Sequence, residues 1–434
     1  MIVLGSGNLN PDSIRRIFRD NFTFTYKLST IQVHMFKVVS LSNAKSIVQS
    51  QFGHLRSSVE STMLNHVIGR FLAKNIISDE FVPAFDRSTV DGFAVISRDL
   101  VGCSESIPAI LRKAGETQMG EMPTYQLKPD QCFYVPTGGA LPQGADAMVM
   151  IEFVEDFGGG EFAFIKPVAP GTNMIFKGED LKPGDMILPV GRKINPADIG
   201  TLASMGITEI DVFRQPKVGV ISTGDELVSA GNQLEPGKIR DVNTPMLAAL
   251  LQDAGAAAKT HEVVLDQRDL LRTAIQNMLA ETDILLVSGG TSVGEHDNMP
   301  VLIEELGQIF VHGIAIKPGK PTIVGQIEGK PIFGLPGNPV AAFFMFQALV
   351  KPLLYSFSNS QVEQNPVEAR LSRAVSSNHG REEVILVRLE GDQATPVPSK
   401  SGLISTVSKA NGYFLIPRDR EGLASGEKVY VHRL

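Results

Sequence analysis

Residues 217–357 alternate short apolar runs with longer amphipathic stretches. Runs at 218–221, 262–265, 284–287, 322–327 and 332–335 predict strands, and stretches at 245–254, 268–279, 300–306 and 339–354 predict helices. Such a succession is the signature of a doubly wound, three-layer α/β domain. Upstream, Ser42 or Asn43 can cap a helix running to Phe52, and a second helix is expected over 59–76, where Met63, Val67, Leu72 and Ile76 recur at helical spacing. Between 85 and 177 the pattern shifts to short apolar runs broken by Gly and Pro, at 92–96, 131–135 and 147–152, which predicts a small β-rich module. Residues 178–216 hold an extended piece and a short helix at 197–205, expected to pack back on the first helices. Strands at 383–389 and 428–432 in the last segment predict a compact β-barrel or sandwich. Four domains follow: I from 35–84 with 178–216, helical and extended; II, the β-rich insertion, from 85–177; III, the α/β domain, from 217–357; IV, barrel-like, from 358–434. Residues 1–34 form an extension, read either as a short appended helix at 11–20 or as sequence upstream of a start at Met35.

Size and charge narrow the function. A chain of 434 residues is too long for one core. A net charge of −7 with no long basic run argues against a nucleic-acid surface, so an anionic small ligand must rely on local positive charge. The two cysteines, Cys103 and Cys132, exclude a disulfide framework or a cysteine-rich zinc site and suit a reducing cytoplasm, with burial as their role. No apolar run is expected to reach the length of a membrane span, since the longest, 340–355, is cut by Lys351 and Pro352.

Three loops behind apolar runs carry the candidate chemistry: LLVSGGTSVGEHDNMP at 285–300, KPGKP at 317–321 and GLPGNP at 334–339. Ser288, Gly289, Gly290, Thr291 and Ser292 offer backbone N–H groups and hydroxyls to a phosphate, and Lys317 and Lys320 add charge. Together they predict an anion-binding crevice at the carboxyl ends of a parallel sheet. Acids beside such loops cannot attract an anion themselves; they hold Mg²⁺ against a phosphate oxygen, move protons, or cap helices. Asp297, before a helix expected near Asn298 with Pro300 in its first turn, fits either role. The tract VISTGDEL at 220–227 repeats the logic with Asp225 and Glu226, and Asp266 follows the apolar 263–265. Asp225 also reads as a turn cap, and Asp266 as the N-cap of the next helix. Three acids at neighbouring strand ends repel at roughly 1 to 4 kcal/mol per close pair unless a cation or proton intervenes.

Two further tracts, PAFDRSTVDGFAV at 83–95 and VPTGG at 135–139, carry more polar functionality than a turn requires and suggest a second half-site. KGED at 177–180 is a further acidic turn. The histidines show no metal-ligand spacing, no nucleophile elbow is evident, and the loops lack the Gly-Lys-Ser/Thr ending of a Walker motif.

Taken in order, PAFDRSTVDGFAV, PTGGALPQGADAMVMIE, KGEDLKPGD, GVISTGDELV, GKIRDVNTPML, LVSGGTSVGEHD, KPGKP, GLPGNPVAAF and, near the C-terminus, SGLISTVSKANGYFLIP resemble the motifs of the molybdopterin molybdenumtransferase (molybdenum insertase) family, which is similar to the C-terminal part of gephyrin. The resemblance runs from about Met35 to the C-terminus. It implies an α/β domain of the molybdopterin-binding type and a cytoplasmic, elongated homodimer whose cleft joins the α/β domain of one subunit to the β-rich domain of the other. The implied reaction converts adenylylated molybdopterin and molybdate, with Mg²⁺, to molybdenum cofactor and AMP. It also implies partners in the adenylyltransferase and the molybdoenzyme maturation proteins. By the same resemblance Asp91 and Thr137 are the contribution of the second domain. Glu226, Asp266 and Asp297 are the acidic, metal-holding side, joined by Asp180, and Lys317 and Lys320 point towards phosphate and molybdate. The loop residues Ser288, Gly289, Gly290, Thr291, Ser292, Pro336, Gly337 and Asn338 would bind substrate, with Arg381 and Ser405 reaching the cleft from the last domain. Two rival readings remain open: the adenylyltransferase that makes the adenylylated pterin, and a non-catalytic scaffold of the gephyrin sort.

Overall fold

The computed structural model describes residues 38–290 and 298–434. Its centre is a mixed six-stranded sheet built from β1 (Lys217–Ser222), β2 (Ala257–Thr260), β3 (Ile284–Ser288), β4 (Gly307–His312), β5 (Ile323–Ile327) and β6 (Lys330–Leu335), in the order β2-β1-β3-β6-β5-β4. The first four of that order run parallel, and β5 and β4 run antiparallel to their neighbours. Each central strand is apolar on both sides and splits its side chains between two cores. Val218, Val220, Ile284 and Leu286 join one, while Ile221, Leu285 and Val287 join the other. The pleat's period of two thus assigns alternate residues to opposite layers. Helix α1 (Asn243–Asp253) contributes Leu247 and Leu251 to the first core, and α2 (Arg268–Glu281) contributes Leu271, Ile275 and Met278 to the second. Gly219 is required for that second packing, because a Cβ there would lie 2.3 Å from Met278 Cγ.

The chain leaves β1 towards β2 on one side and returns to β3 on the other. The crevice between the carboxyl ends of β1 and β3 is therefore the topological switch point where ligands of open α/β sheets bind.

Several expectations are corrected. Residues 59–76 are not a helix: Val59–Met63 is a strand paired antiparallel with Glu209–Phe213, followed by a single 3₁₀ turn, Leu64–His66. A partner some 150 residues away overrode a local helical spacing of which only Val67 and Leu72 are fully buried. The first helix, Leu41–Phe52, is capped by Ser40, whose Oγ accepts the Asn43 N–H at 3.2 Å. Its buried face joins the first α/β core. The edge strand lies at Ala257–Thr260 rather than 262–265, of which Val264 makes one isolated bridge to Thr223. The apolar segment near the end of the α/β region runs unbroken from Pro339 to Phe357, 19 residues of mean hydropathy 1.5, long and apolar enough to cross a membrane by length and composition. The expected break at Lys351 and Pro352 is absent because a π-helical turn, Phe346–Val350, precedes them and puts the missing Pro352 N–H in the opening turn of Lys351–Phe357. This is a core helix, with Phe346, Leu349, Val350 and Leu353 packed in the first cluster.

The β-rich region is a second six-stranded sheet, with Ala147–Met150 at one edge followed by Gly92–Val95 and Gln131–Val135, and with Phe93, Phe133 and Val149 buried. Cys103 and Cys132 are buried in it as free thiols, and burial pushes the Cys132 thiol up to about 12. Strands Val367–Leu371, Glu382–Glu390, Gln393–Pro396, Gly412–Ile416 and Lys428–Arg433 pair in a ring and close a five-stranded barrel around Phe414, Val387 and Val431.

Candidate functional site

Two adjoining cavities open where the carboxyl edge of the α/β sheet meets the loops of the C-terminal barrel. The larger, about 700 Å³, is lined by the loops after β1 (Thr223, Gly224, Glu226), after β3 (Ser288, Gly289, Gly290) and after β6 (Pro336, Gly337, Asn338). It also includes Asp266, the start of α1 and, from the barrel side, Gly402 and Ile404. The second, about 470 Å³, holds Lys317, Lys320, Arg381, Ser399, Lys400 and Ser401. Pro321, Pro336 and Asn338 form the wall common to both. The KPGKP loop reaches this edge because β5 runs antiparallel to β6, which brings the amino end of β5 beside the carboxyl ends of the parallel strands.

Glycine makes the close approach of these loops feasible. Gly289 has φ +100°, and a Cβ on it would stand 2.2 Å from the Thr223 carbonyl oxygen. Gly319 has φ +127° and would place a Cβ 2.8 Å from Met345 Sδ of the core helix.

A buried polar network fixes the β1 and β3 ends to α1. Asp241 Oδ1 accepts the backbone N–H groups of Asn243 and Thr244 at 3.0 and 3.1 Å and the Ser222 hydroxyl at 3.0 Å, capping α1. Asn243 Nδ2 donates to Ser288 Oγ at 2.7 Å and to the Gly337 carbonyl at 2.8 Å, so one side chain ties the ends of β3 and β6 to the start of α1. Sequence reasoning missed Arg240, Asp241 and Asn243 as site residues. The tract GKIRDVNTPML contained them, but a capping acid at a helix start gives no sign of which loops it will meet.

Two of the three acids with a capping alternative, Asp225 and Asp266, do something else. The Asp225 carboxylate accepts the Asp266 N–H at 3.0 Å, and Asn298 Nδ2 donates to the Asp266 carbonyl and carboxylate at 3.1 and 3.3 Å. The residue preceding α2 is Gln267, which makes no side-chain cap. Asp266 therefore spends its carboxylate on Asn298, which opens the helix Asn298–Leu306, and not on its own helix. Glu226 is exposed at the cavity wall, its carboxylate folded back over Gly224. Thr291, Ser292 and Asp297 lie outside the described residues.

Comparison with known proteins gives a consistent answer along the chain. Residues 39–206 match the MoeA N-terminal region (domain I and II), 219–356 a "Probable molybdopterin binding domain", and 368–434 the MoeA C-terminal region (domain IV). A molybdopterin molybdenumtransferase of Bacillus subtilis is 32% identical over 386 residues, 87% of this chain and 90% of that protein. The chain belongs to the molybdopterin molybdenumtransferase family. A relative of the same name from Haemophilus influenzae is 32% identical over 91% of this chain and 98% of its own length. The crystal structure of a molybdopterin biosynthesis MoeA protein from Pyrococcus horikoshii superposes with a TM-score of 0.77 at 30% identity, covering 92% of this chain and all of that one.

Seen as a member of the molybdenumtransferase family, the chain brings some expected residues together and leaves others apart. Glu226, Asp266, Ser288, Gly289, Gly290, Pro336, Gly337 and Asn338 share the larger cavity, and Lys317, Lys320 and Arg381 the smaller. Lys317 is not a bare charge: its amine pairs with Glu383 Oε1 at 2.6 Å, and the mostly buried Glu383 also accepts from Ser377 Oγ at 2.7 Å. An anion must share that ammonium group, which has three donors to offer. Ser405 is exposed at the start of a short helix, Ser405–Lys409, and lines neither cavity; Ser399, Lys400 and Ser401, just upstream, occupy the place expected for it. Asp91 and Thr137 do meet, the Thr137 N–H donating to Asp91 Oδ1 at 2.8 Å, but they and Asp180 are exposed and line neither cavity. Among the described residues no three acidic, His or Cys side chains converge as a metal-binding group.

Proposed function

We propose that the protein inserts molybdenum from molybdate into adenylylated molybdopterin, releasing AMP and forming molybdenum cofactor, in the cleft of a cytoplasmic homodimer. The observation that carries this reading is the junction of the two cavities. One end presents acids and glycine loops, as a phosphoanhydride and its cation need; the other presents lysines, an arginine and hydroxyls, as a tetrahedral oxyanion needs. The shared wall at Pro336 and Asn338 puts both ends within reach of one substrate.

Mg²⁺ suits this donor set even without three protein ligands, because it commonly keeps waters and takes one or two carboxylates plus substrate phosphates. Glu226 and Asp266 would hold it, with Asp297 as a further member; bound there, Mg²⁺ would neutralise charge on the phosphoanhydride. The chain's own residues do the rest. Asn243 and Gly289 keep the β1, β3 and β6 loops at a spacing that admits a phosphate, while Lys317, Lys320, Arg381 and Ser401 hold molybdate by charge and hydrogen bonds. Supplying positive charge on both sides offsets the repulsion between a dianion and a phosphorylated pterin.

Asp91 and Thr137 belong in this proposal as the partner subunit's half of the cleft, with Asp180 near it. Their exposure and their hydrogen bond to one another, away from both cavities, support a role towards a second copy. The four domains, at 35–84 with 178–216, 85–177, 217–357 and 358–434, are part of the same proposal. Separate apolar cores around Phe93, Val287 and Phe414 support it.

Mixing Asp91→Asn and Glu226→Gln subunits tests the shared cleft. Each variant alone would be inactive, and random reassociation would restore about a quarter of the sites, because half of the dimers are mixed and each mixed dimer has one intact cleft. No recovery in demonstrably mixed dimers would refute it.

A further inference from the structure

Among the described residues, two side-chain oxygens beside the larger cavity have no hydrogen-bond partner. Thr223 Oγ1 and Asn243 Oδ1 are both shut off from solvent, on residues 3% and 6% exposed, and neither finds a donor or acceptor among the described residues. Buried polar atoms are almost always paired, and an orphan costs its full desolvation penalty, so two on residues lining one cavity call for an explanation. The orientation of the Asn243 amide is settled by chemistry. The atom 2.8 Å from the Gly337 carbonyl must be the NH₂, since a carbonyl only accepts, and the other amide atom is therefore an acceptor. The neighbouring Ser288, Ser222 and Asp241 are committed to each other and to α1, so they cannot relieve it.

We propose that Thr223 and Asn243 form a subsite that reads an N–H donor on the flat heteroaromatic part of the ligand. This rests on the function proposed above, whose substrate carries two such edges, the amino group of the purine and that of the pterin. Both residues line the 700 Å³ cavity, and the terminal torsion of an Asn side chain is soft, so a small turn presents Oδ1 to a ligand while Nδ2 stays on Ser288 and Gly337. An amino group would satisfy an acceptor that water does not reach. A ligand lacking the donor would leave the orphan in place, which is how a site built for a hydrogen bond discriminates. Thr223 and Asn243 are positioning and specificity residues here; they take no part in bond making.

Thr223→Val removes only the hydroxyl, and because that hydroxyl has no partner, the variant should melt no lower than wild type. Asn243→Asp keeps an acceptor but gives up the Nδ2 bonds to Ser288 and Gly337, so it should melt lower than wild type and shows what structural loss alone does to binding. Titrations compare AMP, purine riboside 5′-monophosphate, which lacks the amino group, and pterin-6-carboxylate. If the purine edge is read, wild type favours AMP over the des-amino nucleotide, and Thr223→Val reduces that preference by roughly 3- to 10-fold. If the pterin edge is read, the nucleotide preference is unmoved and pterin-6-carboxylate weakens by a similar factor. Either result supports the subsite. Unchanged affinity for all three in Thr223→Val, or a loss accompanied by a lower melting temperature in both variants, overturns it. The failure is separable from that of the proposed reaction, which is judged on molybdate-dependent AMP release by the wild-type protein.

Discussion

Asp225 accepts the backbone N–H of Asp266 at 3.0 Å, a bond that joins the loop after β1 to the loop before α2. It sets the separation of Glu226 and Asp266, which line the cavity together with the α1-capping Asp241. Removing the acceptor should release the second loop. Asp225→Ala is expected to lower molybdate-dependent AMP release about 10-fold, equivalent to losing one good hydrogen bond in the transition state, with little change in melting temperature because Asp225 is exposed. Asp225→Asn, which keeps an acceptor, should retain most of the rate.

Gly289→Ala tests the contact between the β1 and β3 loops. The new methyl would meet the Thr223 carbonyl at 2.2 Å in a backbone with φ +100°, so the loops must separate. Destabilisation of about 1 to 3 kcal/mol by chemical denaturation is expected, with activity lost out of proportion to it.

The central sheet was legible because its strands are short apolar runs: β1, β3 and β6 are buried along nearly their whole length, and burial on both faces needs no partner information to recognise. Val59–Met63 was not, since its strand character comes from pairing with Glu209–Phe213 and its own side chains are mostly exposed. Gly307–His312 was missed for a related reason: it is an edge strand whose partner, β5, follows only after the KPGKP loop. In the site, glycines and lysines announced the three loops. Ser399 to Gly402 were hidden, because only the approach of the barrel to the α/β edge gives them a ligand-facing role.

Core packing separates residues of the same type. Phe333 is fully buried in β6, and Phe333→Ala should cost about 3 to 5 kcal/mol. Phe157 is 61% exposed, and Phe157→Ala should change stability by no more than about 0.5 kcal/mol. Urea denaturation of the two variants side by side checks the assignment.

His432 gives a pH signature. Burial first, and then the charge of Lys45, hold its imidazole below the ordinary 6.5, while its ring stacks on Tyr413 at 5.2 Å. A depressed folded-state value means the unfolded chain takes up the proton first, so stability falls as pH drops below 6.5 and levels off only beneath the folded-state value. His432→Gln should flatten that part of a melting-temperature series; an unchanged slope would assign the acid sensitivity to other groups.

Lys317 and Glu383 form an ion pair at 2.6 Å beside the site proposed for molybdate. Glu383→Gln would free the ammonium group for the anion. Tighter molybdate binding, by roughly 3- to 10-fold, is expected by isothermal titration, on the scale of one charge-assisted hydrogen bond. A rise at low salt that vanishes at high salt would fit the same cause.

The most direct measurement of the central claim is AMP release from adenylylated molybdopterin by the purified protein with Mg²⁺, with and without molybdate, in wild type and in Glu226→Gln. Release should depend on molybdate and be abolished in the variant, which folds normally. Release that ignores molybdate, or that proceeds undiminished without the Glu226 carboxylate, would contradict it.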